Sequence, residues 1–95
     1  MKVVIKYPNE KPKFCHLENS FNAFYKTIGS VFGALPIGNI ILFFNINVTD
    51  GEPNITVDDI KICGPIIITG STPDGIETNL NKNHLKTIQN LIYQN

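Results

Sequence analysis

The chain has 95 residues, the size of one domain with a small hydrophobic core, so we expect residues 1–95 to form a single domain. Hydrophobic residues make up 42% of the chain and charged residues 17%, a balance typical of globular proteins and not of disordered ones. The formal net charge is zero and arginine is absent, which argues against nucleic-acid binding, because phosphate recognition relies on basic surfaces and the arginine fork.

The start of the chain predicts a hairpin followed by a helix. Residues 2–7 alternate apolar and polar side chains and indicate a half-buried strand. The turn-forming residues 8–12 end this strand, and residues 13–17 predict its hairpin partner. Apolar residues at helical spacing then predict a helix with its N-cap at Asn19 and its end at Gly29.

The middle of the chain predicts a second hairpin, a long loop and a strand. Residues 30–35, a turn at 36–39 and the apolar segment IILFFN predict the hairpin. Residues 45–59 are acidic and rich in turn formers, so they predict either the longest loop of the chain or a weakly paired excursion. Residues 60–69 are rich in β-branched side chains and predict one further strand.

The end of the chain predicts a helix that opens at Leu80 and Asn81. Leu80 and Leu85 have the spacing of a hydrophobic staple. The expected buried stripe of this helix consists of Leu85, Ile88, Leu91 and Ile92. The order β-β-α-β-β-loop-β-α predicts an α+β fold, a mostly antiparallel sheet with two helices on one face. We expect the open face to be covered by a homo-oligomer or by another protein.

The glycine-rich segment after residues 60–69 raises the question of a phosphate-binding loop. Gly70 and Gly75 have the spacing of that motif, but Ile76 and Glu77 stand where it requires a lysine and a hydroxyl side chain. The Pro-Asp-Gly sequence that ends at Gly75 predicts a tight turn instead. The acidic loop does not fit the register of a calcium-binding loop either, so we expect no metal and no cofactor.

The cysteines and histidines form no recognisable catalytic pattern. Cys15 and His16 are adjacent on a strand, so their side chains point to opposite faces and cannot form a dyad. Cys63 has no paired spacing with Cys15, and the N-terminus lacks the apolar stretch of a signal peptide, so we expect reduced thiols in a cytoplasmic, non-membrane protein. We expect His84 to be solvent-facing or to cap the last helix. The chain is therefore predicted not to be an enzyme; a cysteine nucleophile is the disfavoured alternative.

Surface lysines and aromatic residues are the remaining candidates for function. Lysines near the N-terminus would meet phosphates or acidic groups, and aromatic rings would stack on a planar ligand. The alternative is that Phe14 and Tyr25 belong to the core and that the lysines are only solvated. The candidate ligand-binding residues are Lys2, Lys6, Tyr7, Lys13, Phe14 and Tyr25.

Four segments carry a resemblance to a known family: MKVVIKYPNEKP, LENSFNAFYKTIGS, NVTDGEPN and CGPIIITGSTPDG. In their order they resemble an uncharacterised family of short phage and mobile-element proteins, a domain of unknown function, from low-GC bacteria. Members of that family usually have a basic residue after the Pro-Asn of the middle loop, whereas Ile55 follows Asn54 here. We add Asn54 to the candidate ligand-binding residues and expect loop 45–59 to act as a lid.

The resemblance implies no catalytic residue, and it implies a host-takeover or counter-defence factor that binds its target stoichiometrically. Our first hypothesis is that an oligomer sequesters a small nucleotide-type signal in a pocket between its subunits, in the cytoplasm of the bacterial host. The alternative is an inhibitor or adaptor that binds a host protein through a sheet edge or the open face.

Overall fold

Eight strands and two helices form the described part of the computed structural model, residues 1–47 and 51–93. The strands are β1 (Lys2–Lys6), β2 (Lys13–His16), β3 (Phe32–Ile37), β4 (Ile40–Asn45), β5 (Pro53–Val57), β6 (Ile60–Cys63), β7 (Ile66–Ser71) and β8 (Glu77–Thr78). The helices are α1 (Phe21–Ile28) and α2 (Leu85–Tyr93), and a short 3-10 helix at Lys82–His84 leads directly into α2.

The main sheet is antiparallel throughout and has the strand order β2-β1-β7-β4-β3. The short strand β8 pairs with the end of β7. β7 is the central strand, and its Ile68 lies opposite Val4 of β1 on one side and Leu42 of β4 on the other. The predicted α+β fold with a mostly antiparallel sheet and two helices is confirmed.

The two helices lie on opposite faces of the sheet, so the prediction that both cover one face is wrong. α1 packs against Ile67 of β7 through Phe24 and Ile28. α2 belongs instead to the cluster that contains Ile66 and Ile68, whose side chains point the other way along the same strand. The central strand is apolar on both faces, which requires a cover on each side. In the described residues neither face is the open one that we expected.

The hairpin formed by β5 and β6 completes the cover on the α2 face. Segment 45–59 contains β5, which pairs with β6, so the prediction of a loop is wrong there and the alternative of a paired excursion agrees with the structure; residues 48–50 lie outside the described residues. Ile55 of β5 and Ile62 of β6 are buried in the same cluster as α2. The hairpin is therefore a fixed layer of the fold, and the predicted lid does not apply to residues 53–57.

The apolar run at residues 60–69 is not one strand as predicted. It is divided at Gly64 and Pro65, so that β6 belongs to the hairpin and β7 to the main sheet. Gly64 has φ +77°, a conformation that glycine adopts without strain, and the following proline restricts the chain further. The sharp turn between two apolar strands carries the chain from one layer to the other.

The ends of α1 follow the predicted chemistry with a shift of one residue. Ser20, not Asn19, is the N-cap, and its Oγ accepts a hydrogen bond from the backbone N–H of Ala23 at 3.2 Å. Gly29 ends the helix at φ +86° and donates its N–H to the Tyr25 carbonyl at 2.7 Å, so the predicted stop is confirmed.

The start of the final helix is held by a reciprocal pair of hydrogen bonds. Asn81 Oδ1 accepts from the N–H of Asn83 at 2.8 Å, and His84 Nδ1 accepts from the N–H of Asn81 at 2.9 Å. The capping role of His84 is confirmed, but its side chain is buried and not solvent-facing. Leu85 is exposed rather than part of the buried stripe.

The sequence predicted the turn that ends at Gly75 better than the turn of the central hairpin. The central hairpin turns at Gly38 and Asn39, and residues 36 and 37 belong to β3, so the predicted turn at 36–39 was too long. The segment that ends at Gly75 is a tight turn in which the Gly75 N–H donates to the Thr72 carbonyl at 2.9 Å. The prediction of a turn rather than a phosphate loop is confirmed there.

Gly70 lies where β7 passes under the start of the final helix. A Cβ at this position would lie 2.9 Å from the Asn79 carbonyl oxygen and 2.9 Å from His84 Cε1. We expect Gly70→Ala to lower the free energy of unfolding by about 1–3 kcal/mol, because the Asn79 backbone is held beside β1 and the His84 ring is buried, so neither can move away without disturbing its contacts. Urea denaturation measures the change.

Gly33→Ala is the matched control on β3. A Cβ there would lie 2.9 Å from the end of the Ile46 side chain, which is exposed and can turn away. We expect a loss below about 1 kcal/mol for this variant. Equal losses for the two variants would contradict the close packing at Gly70.

Candidate ligand-binding site

The seven candidate ligand-binding residues do not form one site. Alternation and strand pairing divide them among four places in the fold. They are Lys2 with Phe14 beside a pocket, Lys6 with Asn54 under the hairpin, Tyr7 with Lys13 at the surface, and Tyr25 on α1.

Lys6 is a buried lysine that connects the main sheet to the β5–β6 hairpin. Its side chain is 9% exposed, and its Nζ donates to Asn54 Oδ1 at 2.6 Å and to the Tyr7 carbonyl at 3.4 Å. Asn54 Nδ2 donates in turn to the carbonyls of Lys6 and Gly64, both at 2.8 Å. Desolvation lowers the pKa of Lys6, and the negative charge of Glu10 offsets this in part. We assign Lys6 and Asn54 to holding the hairpin in place.

Tyr7, Lys13 and Tyr25 lie at the surface. Lys13 Nζ lies 5.9 Å from the centre of the Tyr7 ring and 3.5 Å from Glu10 Oε1, both exposed contacts that add little stability. Tyr25 lies on α1, and the sheet separates it from Lys2 and Lys6. Tyr25 and Phe14 are both exposed, so the alternative that they belong to the core is wrong.

A pocket of about 390 Å³ lies between the β1–β2 hairpin and the start of the final helix. In the β1–β2 pair, Lys2 lies opposite His16 and Val4 lies opposite Phe14. Val4 is buried in the α2-side cluster, so Lys2, Phe14 and His16 share the α2 face of the sheet. The residues that line the pocket are Lys2, Val3, Phe14, Cys15, His16, Leu80, Asn81, Lys82 and Leu85.

The segment that leads into the final helix forms the opposite wall of the pocket. The Lys2 N–H donates to Asn79 Oδ1 at 2.7 Å, and the Leu80 N–H donates to the Lys2 carbonyl at 3.0 Å. These bonds hold the segment beside β1, and Leu80 is buried against the sheet. Lys82 and Leu85 follow and bring a cation and an apolar side chain to the same pocket.

The pocket is cationic and partly aromatic. Two lysines, Lys2 and Lys82, contribute to it, and no carboxylate occurs among its lining residues in the described ranges. Phe14 is 61% exposed and so has an accessible ring face. Lysine ammonium groups donate to anionic oxygens, and an aromatic ring stacks on a planar group. This arrangement can bind a small anion that has a planar or apolar part.

Cys15 is among the residues that line the pocket, whereas Cys63 is not. Cys15 is opposite Val3 and packs in the α1-side cluster, whereas His16 faces the pocket, so the prediction that their side chains diverge is confirmed. Cys63 is buried, with 5% of its surface exposed. Over residues 1–47 and 51–93, no three histidine, cysteine or acidic side chains are grouped so that they could hold a metal ion.

Sequence reasoning missed several of the pocket residues. His16 was not among the candidate ligand-binding residues, although it lies opposite Lys2 in the β1–β2 hairpin, which the sequence predicts. Lys82 and Leu85 had no such signal, because their position depends on the path of residues 79–81 across the end of β1. Only the tertiary structure brings the two ends of the chain to one pocket.

A comparison of the chain with models of known protein families, with curated proteins and with solved structures finds no match. The resemblance to short phage proteins is therefore still a prediction. No helix in the part of the chain that the structure describes is long and apolar enough to span a membrane.

Asn54→Ala tests the connection between the hairpin and the main sheet. We expect the free energy of unfolding to fall by about 2–4 kcal/mol, because the change leaves the Lys6 ammonium buried without its amide partner. Asn22→Ala on the exposed surface of α1 is the matched control, with an expected change within about 0.5 kcal/mol. Urea denaturation at neutral pH compares the two, and an equal effect would contradict the role of Asn54.

Lys6 should also make stability depend on pH. Its folded pKa lies below the value of 10.5 that applies to the unfolded chain. Between these two values the unfolded chain binds more protons, so the free energy of unfolding rises as the pH rises through that interval. Urea denaturation from about pH 7 to about pH 11 should show this rise in the wild type and a smaller one in Lys6→Met. If the free energy of unfolding changed with pH equally in the two proteins, the assigned role of Lys6 in the pH dependence would be contradicted.

Proposed function

We propose that the protein is a non-catalytic binding protein that holds a small anionic ligand of nucleotide type in the pocket beside β2. The observation that carries this proposal is the combination of two lysines and an exposed phenylalanine around a volume of about 390 Å³. Small-molecule sites are typically about 300–1,000 Å³ in volume and combine apolar walls with a few polar groups.

Each wall of the pocket has a separate part in this proposal. Lys2 and Lys82 neutralise the phosphate from two sides. Phe14 stacks on the planar base, a contact that gives affinity without strict base selectivity. Leu80 and Leu85 exclude water from the apolar edge of the ligand.

Binding without catalysis is supported by where the reactive side chains lie. A nucleophile and its base must be within hydrogen-bond reach of each other. Cys15 lines the pocket but packs in the α1-side cluster, His16 faces the pocket, and Cys63 is buried at the end of β6. The proposed reaction scheme is therefore reversible association only.

The biological role that we propose is counter-defence by sequestration of a nucleotide signal on behalf of a phage or mobile element. This part of the proposal rests on the resemblance of the four sequence segments and on the ligand class that the pocket fits. It requires tight, stoichiometric binding and no turnover of the ligand.

A second candidate function is stoichiometric binding of a host protein. In the described residues both faces of β7 are buried, so the centre of the sheet has no uncovered face for such a partner. The observation that favours this alternative is the position of β2 at one edge of the sheet, with Phe14 exposed on it. An extended segment of another protein can add to such an edge.

Native mass spectrometry with a mixture of cyclic and linear nucleotides tests the first function. We expect a stoichiometric added mass, and we expect Lys2→Ala and Lys82→Ala each to weaken binding about 10- to 100-fold by loss of a charge-assisted bond. Lys26→Ala is the matched control, because this exposed lysine lies on α1 across the sheet. Absence of an adduct with every nucleotide, or equal weakening by Lys26→Ala, would reject the proposed site.

A further inference from the structure

β2 is an outer strand of the main sheet, and two of its residues turn their backbone groups outward. Met1 and Leu17 exchange two hydrogen bonds of 2.9 Å. Bonded and non-bonded pairs alternate along an antiparallel ladder, so Cys15 also bonds to β1. Phe14 and His16 therefore point their N–H and C=O groups away from β1, and no backbone partner for them occurs in residues 1–47 and 51–93.

The opposite edge of the sheet is protected in a way that β2 is not. The β3–β4 hairpin closes with the pair Ile37 and Ile40 around a two-residue turn. By the same alternation, Pro36 occupies a position whose N–H would point outward, and proline has no N–H to offer. A proline on an edge strand blocks the addition of another strand. β2 is therefore the edge at which the sheet can be extended.

We propose that β2 pairs antiparallel with β2 of a second copy of this chain, with Cys15 opposite Cys15 on the two-fold axis. In this register Phe14 of each copy lies opposite His16 of the other. The outward N–H and C=O groups of both residues then form four hydrogen bonds across the axis. The dimer is argued from the backbone geometry of β2. Only the contribution of the second copy to ligand binding rests on the proposed function.

The neighbouring registers satisfy fewer of these groups. Centring the pair on Phe14 would place Pro12, which has no N–H, opposite His16. Centring it on His16 would place Glu18 opposite Phe14, but the Glu18 carbonyl already accepts from the Ser20 N–H at 2.9 Å. The register centred on Cys15 is the one that fills all the outward groups of β2.

The charges at the two ends of the strand also favour an antiparallel pair. Residues 10–13 carry two lysines and one glutamate, whereas Glu18 follows the other end of β2. An antiparallel arrangement places the net positive end of one copy beside Glu18 of the other. A parallel arrangement would place like charges side by side, which destabilises a strand pair.

The second copy completes the pocket. A two-fold axis perpendicular to the sheet keeps the α2 faces of both copies on the same side, so their pockets become neighbours. Phe14 and His16 form the β2 wall of each pocket, and in the dimer each of them meets an aromatic ring of the other copy. The pairing places the His16 ring of the second copy beside Phe14 and gives each ligand a second aromatic contact.

Cys15 provides a readout that is specific for this register. A non-bonded antiparallel pair has its Cα atoms about 4.5 Å apart, which lies within the range of about 4.4–6.8 Å that a disulfide spans. Oxidation of the full chain with copper phenanthroline should link two copies, as two thiols lose two protons and two electrons to the copper oxidant. We expect Cys15→Ser to abolish the linked dimer and Cys63→Ser to retain it.

Sedimentation equilibrium without oxidant provides the second measurement. Phe14→Pro removes an outward N–H and no bond to β1. We therefore expect this variant to be folded by circular dichroism and monomeric by sedimentation. It should also cross-link at least about tenfold more slowly, because hydrogen bonds at the edge are lost. Phe14→Ala keeps that N–H and should still cross-link. If Phe14→Pro does not fold, the two cysteine variants and wild-type sedimentation decide the question.

Three outcomes would overturn the inference. They are a wild-type monomer at every concentration, linkage that survives Cys15→Ser, and a monomer whose β2 edge binds a different protein. A dimer that binds no nucleotide would keep this inference and reject the proposed function. A monomer that binds a nucleotide would reject the dimer and keep the proposed function.

Discussion

The fold depends on the burial of β7 on both of its faces. Ile66, Ile67 and Ile68 have no exposed surface, although neighbouring side chains on a strand point to opposite sides. The sheet therefore needs two covers, and α1 forms one while α2 and the β5–β6 hairpin form the other. The break at Gly64 lets β6 leave the sheet and join the second cover. With both faces filled, the edges and ends of the sheet are what is left for binding.

Patterns within a few residues predicted much of this fold. The β1–β2 hairpin, the helix stop at Gly29 and the turn before Ile76 depend on local spacing and backbone preference, and all three are present. The face that each helix covers depends instead on contacts between distant segments. The sequence also did not predict β5 as a strand, because its polar residues resemble those of a loop. Contacts with distant segments hold it in place: Ile55 is buried, and Asn54 donates a hydrogen bond to the Gly64 carbonyl.

The candidate site shows the same division between local and distant information. Lys2 and Lys6 lie four residues apart on one strand and on the same face, so the sequence gives them equal weight. The structure separates them, because the hairpin covers Lys6 whereas Lys2 lies at the end of the sheet beside Lys82. The sequence indicated the lysines and Phe14 by their charge and aromatic character. Whether a ligand can reach each of them depends on which segment of the chain covers it in the folded protein.

The position of β7 between β1 and β4 also decides when the sheet can assemble. The two hairpins on either side are local and can form as soon as they are synthesised. β7 begins at Ile66, so a growing chain carries two separate hairpins, each with an unpaired inner edge, until about the last third of the protein emerges. When β7 inserts between the two hairpins, it pairs with β1 and β4 and so covers both inner edges at once. Assembly of the main sheet therefore waits until β7 has been synthesised, and a chain that stops before Ile66 exposes two unpaired strand edges.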